Sequence, residues 1–215
     1  MMLLTITSNT FADFFKSGGL FMIPLCLALL VGLAAILYQI LSLRRGRVVP
    51  KKLEHDLAGF SQAHTNGQLE TTLAVIHQKK SVLARLAAVA LRNRGKSRAE
   101  ITHAVEAASR QESAHLHSGI SVLDVIITVA PLLGLLGTAS GLVTIFQGLG
   151  ETTNHLAIAH GIAEALNTTI FGLTIAVPCV IAHGFFSRRI ELLAAHMDRV
   201  LAELIIACEA TSPKP

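Results

Sequence analysis

The 215 residues are 52% hydrophobic, 15% charged and 5% aromatic, and the mean hydropathy is +0.57, above the usual range of soluble domains. The formal net charge of +4 does not mark a nucleic-acid surface, because no aromatic residues interleave with the basic ones as base stacking requires. Composition therefore points to a membrane protein.

Residues 1–19 (MMLLTITSNTFADFFKSGG) lack the basic start and small-residue cleavage site of a signal peptide. They contain Asp13, Lys16 and the cluster Phe11, Phe14, Phe15 instead. They read as a retained segment, either a short interfacial helix or a disordered lead-in. Residues 20–43 carry no charge and exceed the roughly 20 apolar residues that cross a bilayer as a helix; they form the first predicted span. Residues 44–118 are rich in Ala, Leu, Glu, Lys and Arg, with no proline after Pro50, a helical composition. Leu69, Leu73 and Ile76, then Val82, Leu83, Leu86 and Val89, fall at helical spacing before a turn at NRGKS, residues 93–97. Ser97 and Glu100 form a capping box that predicts a new helix from about Arg98.

Nothing breaks that helix before Ser118 and Gly119, so it is expected to continue into the second span, 119–148. A short loop, 149–156, leads to the third span, 157–187. Its apolar face continues through Ile190, Leu193, Met197, Val200 and Leu204 into a C-terminal helix and tail, 188–215. The expected fold is an all-α membrane protein with three transmembrane helices, the second and third extended into a helical cytoplasmic region. Thirteen of the eighteen Lys and Arg residues lie between Arg44 and Arg110, four follow the third span, and the 149–156 loop has none. The positive-inside rule puts the amino terminus and that loop outside, and residues 44–118 and the carboxyl terminus in the cytoplasm.

Cys26, Cys179 and Cys208 are scattered without disulfide or metal spacing and read as small hydrophobic side chains. His115 and His117 are two apart, which does not bring them to one helix face, and no carboxylate or cysteine completes a ligand set. No phosphate-binding loop or nucleophile elbow is present. The sequence thus offers no enzyme, metal or cofactor site.

The last two spans carry the informative pattern. Ala130, Gly134, Gly137, Gly141 and Gly148 share a narrow sector of the second span, a face for close helix packing in lipid. Asp124, Pro131 and Thr138 form a second stripe at seven-residue steps. In the third span, Leu166, Ile170, Leu173, Val177 and Ile181 make an apolar strip, with Glu164, Asn167, Thr168, Thr169 and Gly172 opposite and His183 nearer the cytoplasm. Thr174 is expected to bond back to the carbonyl four residues earlier. A carboxylate such as Glu164 is costly against lipid and should face protein or water. Counted from an outer turn near Thr153, Thr138 and Thr169 lie at one level, roughly 22–24 Å down. Asp124 falls near the depth of His183. Polar groups would then occupy the outer, middle and inner levels of a single face, a wall for a polar path that several subunits must complete.

The run LDVIITVAPLLGLLGT at 123–138, the run GIAEALNTTIFGLTIAVP at 161–178 and the three-span plan resemble the proton-channel family that includes ExbB, TolQ and MotA. The ExbB/TolQ branch is the nearer, and ExbB the leaning within it. The segment GTASG departs from the family's GTVxG pattern in its small Ala139 and in Ser140.

The resemblance implies an inner-membrane pentamer around an ExbD/TolR-like single-span partner whose membrane aspartate carries the proton. Thr138, Thr169, Glu164 and Thr168 would line the path, with Asp124 at its cytoplasmic end; Glu164 is equally suited to a subunit boundary. The work would pass to a TonB-like protein for uptake across the outer membrane, or to a TolA-like protein for envelope integrity. A non-conducting membrane scaffold is the alternative from a different class.

Overall fold

The computed structural model describes residues 21–43, 48–50, 53–55, 57, 81–148 and 155–209. The amino-terminal segment, the spacing of Leu69, Leu73 and Ile76, the middle of the outer loop and the TSPKP terminus lie outside the described residues. The longer elements are four helices: α1 Met22–Ser42, α2 Val82–Arg92, α3 Arg98–Gly148 and α4 His155–Glu209. The described residues contain no strand. Helices α1, α3 and α4 are long and apolar enough to cross a membrane, so the fold is that of an all-α membrane protein with three spanning helices.

The expected helix start at Arg98 is observed, and its cap explains it. The Ser97 hydroxyl accepts from the Glu100 backbone N–H at 3.4 Å, while the Glu100 carboxylate accepts from the Ser97 N–H at 3.1 Å and hydroxyl at 2.9 Å. These bonds from Ser97 hold the Glu100 carboxyl below its ordinary range. From there α3 runs unbroken through Gly119 and Pro131, and α4 through Pro178. A proline inside a helix removes one N–H, which neighbouring helices in a membrane bundle tolerate.

The chain forms two compact units. One comprises Met1–Leu37 and Ser121–Gly184. In it α1 buries Leu25, Ala28 and Ala35 and leaves Ile23, Leu27, Leu30 and Leu33 exposed, an apolar outer surface suited to lipid. A Cβ built on Gly32 would lie 3.1 Å from Cys179 Sγ and 3.5 Å from Ile126 Cγ2, so the glycine sets how closely α1 approaches.

The other unit comprises Tyr38–Ile120 and Phe185–Pro215. Ser81 caps α2 by accepting the Ala84 N–H at 3.3 Å, and Gly95 takes φ +82° in the turn to α3, a conformation glycine adopts without steric cost. Leu83, Leu86, Ala87 and Ala90 of α2 are fully buried, as are Ile101 of α3 and Ile190, Leu201 and Leu204 of α4. Val200, expected on this face, is half-buried, and Leu201 takes the core position. Arg85 and Glu112 form a two-point ion pair between α2 and α3. Cys208 is a buried small hydrophobe whose thiol burial pushes up to about 11.

Candidate functional site in the α3–α4 hairpin

Small residues let α3 and α4 nearly touch along the hairpin. A Cβ on Gly134 would lie 2.9 Å from both Thr168 O and Thr169 Cα; one on Gly137, 2.5 Å from Thr168 Oγ1; one on Gly141, 2.7 Å from Ala165 Cβ. In return, a Cβ on Gly172 would lie 2.5 Å from the Ala130 carbonyl oxygen. Ala130 and Ala165 are buried in the same seam. Backbone contact of this kind is how helices associate in lipid, where no hydrophobic force separates protein from solvent.

Thr168, expected to line the path, is instead sealed in the seam at 3% exposure. Its hydroxyl is shared between the carbonyls of Ala165 at 2.8 Å and Gly134 at 3.1 Å. The physical reason is rotation: neighbouring residues on a helix point about 100° apart, so Thr168 and Thr169 cannot both face one opening.

Thr169 is half-buried, and its hydroxyl lies 3.5 Å from that of Thr138, a long and weak approach for an O–H···O pair. Thr138 donates its hydrogen to the Leu135 carbonyl at 2.7 Å, leaving its oxygen free to accept. The two hydroxyls thus hold acceptor and donor capacity at one level without any charge. Within Ser121–Gly148 of α3 and Leu166–Cys179 of α4 the sole carboxylate is Asp124, so neither helix has an acid at the level of the threonines.

Glu164 is half-buried. It precedes Thr169 by five residues, about 140° around the helix, and precedes Thr168 by one turn. Glu164 and Thr169 therefore do not share one stripe, which corrects the expectation of three polar levels on a single face. Asp124 joins a partner that its depth suggested but no motif named: His183 Nε2 lies 2.8 Å from Asp124 Oδ1, both side chains reaching the surface. The signal in the sequence is spacing, since Asp124 lies fourteen residues before Thr138 and His183 fourteen after Thr169. Thr174 donates to the Ile170 carbonyl at 2.8 Å, as expected of a threonine without further role. Leu166, Ile170, Leu173, Val177 and Ile181 are all outward and exposed.

The helices and their seam define a class: a three-span membrane protein whose last two spans form a glycine-packed hairpin bearing level hydroxyls. Residues 78–199, more than half of the chain, match the model of the MotA/TolQ/ExbB proton channel family. The chain belongs to that family. It is 29% identical over 184 residues to a biopolymer transport protein ExbB homolog of Methanothermobacter thermautotrophicus, covering 85% of this chain and 65% of that protein. It is 36% identical over 95 residues to the Tol-Pal system protein TolQ of Pseudomonas aeruginosa, covering 43% and 41%. The matched stretches span less than two thirds of either relative's length. The fold is similar to a chain in the structure of Campylobacter jejuni MotAB, described there as C. jejuni MotAB, with a TM-score of 0.54 at 21% identity, over 96% of this chain and 84% of that one.

Proposed function

We propose that this protein is the multi-span subunit of an inner-membrane motor driven by the proton-motive force, ExbB-like in role. In this reading several copies, five by family expectation, surround an ExbD/TolR-like single-span partner. The amino terminus and the outer loop face the periplasm, and the α3 and α4 extensions lie in the cytoplasm. The observation that carries it is the level pair Thr138 and Thr169, two hydroxyls facing each other at a level where neither α3 nor α4 has an acid. Hydroxyls orient water or bond a neutral carboxylic acid, but they do not hold a travelling proton across a gap. The titrating acid therefore comes from another chain, and the hydroxyl pair is the surface it meets.

One charge crossing the membrane yields about 2.3 kcal/mol per 100 mV, so several protons per cycle suffice to drive movement of a partner. That work would serve a TonB-like protein in outer-membrane uptake. A TolA-like protein is the second outlet, favoured by the TolQ relative. Thr169→Val is the test: the oligomer and its partner should still copurify, while proton-dependent uptake is lost. Full activity in that variant would favour the non-conducting scaffold, whose basis is the glycine seam alone.

A further inference from the structure

Thr138 with Thr169 and Asp124 with His183 are two rungs of one antiparallel register, fourteen residues apart on both helices, or about 21 Å along the axis. Midway, the same register pairs Pro131 with Ala176, neither of which offers a polar side-chain atom. The hairpin thus has a hydroxyl rung at mid-depth, an apolar interval, and an acid–imidazole rung at its cytoplasmic end. At that lower rung the side chains are 60% exposed for Asp124 and 33% for His183, so the pair is not a buried structural staple. The Thr128 hydroxyl is occupied by the Asp124 backbone carbonyl at 3.0 Å and does not compete for the carboxylate.

Resting on the motor reading above, we infer that Asp124 and His183 together form the station from which protons are released to the cytoplasm, with His183 as the group that takes up and gives off the proton. Asp124 Oδ1 holds the imidazole by Nε2 at 2.8 Å and orients the ring. In the step, a proton delivered from the partner's carboxylic acid through water adds to the free ring nitrogen, giving imidazolium against carboxylate. The same proton then leaves to bulk water, returning neutral imidazole. One proton enters and one leaves, with no change of oxidation state. Imidazole suits the task because its charge changes between pH 5 and 8, whereas a lone carboxylate is already ionised there.

Within the same compact unit few other charged or titratable groups accompany the pair; His115, His117, Arg188 and Arg189 belong to the other unit. α1 has no charged side chain or histidine between Met22 and Ser42; Cys26 and Tyr38 are its only titratable residues. Cys179, one turn before His183, lies against Gly32 of α1. Within Ser121–Gly148 of α3, Asp124 is the one titratable side chain, and on α4 the other titratable groups before Gly184 are His155, His160 and Glu164, toward the opposite end.

The copurified complex of the full chain with its single-span partner, reconstituted into proteoliposomes with the cytoplasmic face outward and a pH dye inside, tests the inference. The outer pH is varied from 8 to 5 while the membrane potential is adjusted to keep the total proton-motive force constant. Wild-type flux should fall as the outer pH drops, because the loaded site then fails to empty. His183→Gln, which keeps a donor for Asp124 but cannot titrate, should conduct roughly tenfold more slowly or worse, with no pH inflection and with the partner retained. Added imidazole should restore flux in His183→Ala. Equal rates and an unchanged pH profile in His183→Gln would overturn the release station while leaving the motor reading standing. Absence of flux in the wild-type complex would overturn the motor reading itself. Should both His183 variants lose the partner, Asp124→Asn, which still accepts from Nε2 but carries no charge, should slow the flux or move its pH profile, and a rate and profile equal to wild type would overturn the station.

Discussion

Gly172 of α4 lies so close to Ala130 of α3 that an added Cβ would meet the Ala130 carbonyl oxygen at 2.5 Å, inside any real van der Waals contact. The obstacle is backbone rather than a movable side chain, so a larger residue must part the helices. Gly172→Leu should therefore destabilise the hairpin by about 1–3 kcal/mol or more, read as a lower unfolding midpoint in detergent. Substitution at the exposed Leu173 by Ile should leave that midpoint nearly unchanged.

Adjacent threonines should separate stability from function. Thr168→Val removes a buried hydroxyl shared by two carbonyls at similar shape and should cost about 0.5–1.5 kcal/mol. Thr169→Val removes a half-buried hydroxyl whose nearest partner is distant and should cost less stability yet abolish proton-driven activity. Thermal unfolding and an uptake assay on the same two variants check the pair; a reversed ranking in both would contradict the division between seam and path.

Helix α3 begins at a reciprocal cap, and Ser97→Ala should lower stability by about 1 kcal/mol. Glu100 adds a pH signature. Its carboxyl is held below the ordinary range by Ser97, so its contribution is present above the unfolded carboxylate range and lost as pH falls through the lower folded value. Glu100→Gln should accordingly lose part of the stability at neutral pH, and the gap to wild type should close in acid, measured by chemical denaturation at pH 7 and pH 3.

Cys208 is buried, and its thiol is pushed up to about 11, while the thiolate is the reactive form. It should resist alkylation at pH 8 in the folded protein and react once unfolded, followed by mass spectrometry of the modified peptide. Because the folded value is raised, the contribution of the neutral thiol is complete below the ordinary thiol range and is lost as pH rises toward 11.

The elements themselves were legible in the chain. Three spans follow from uninterrupted apolar length, the start of α3 from Ser97 and Glu100, and the back-bond of Thr174 from its type and place. Each depends on neighbours within a turn or on composition, which a one-dimensional reading captures. What only tertiary structure decided is rotation and pairing. The sequence grouped Thr168 with Thr169 because both are polar and adjacent; the approach of Gly134 and Gly137 turns one into the seam and leaves the other at its edge. Likewise, depth alone brought Asp124 and His183 to one level, but a 2.8 Å contact requires the antiparallel register that the glycine faces impose. Hydropathy sets which segments enter the membrane; the shape of the small-residue faces sets which polar atoms meet there.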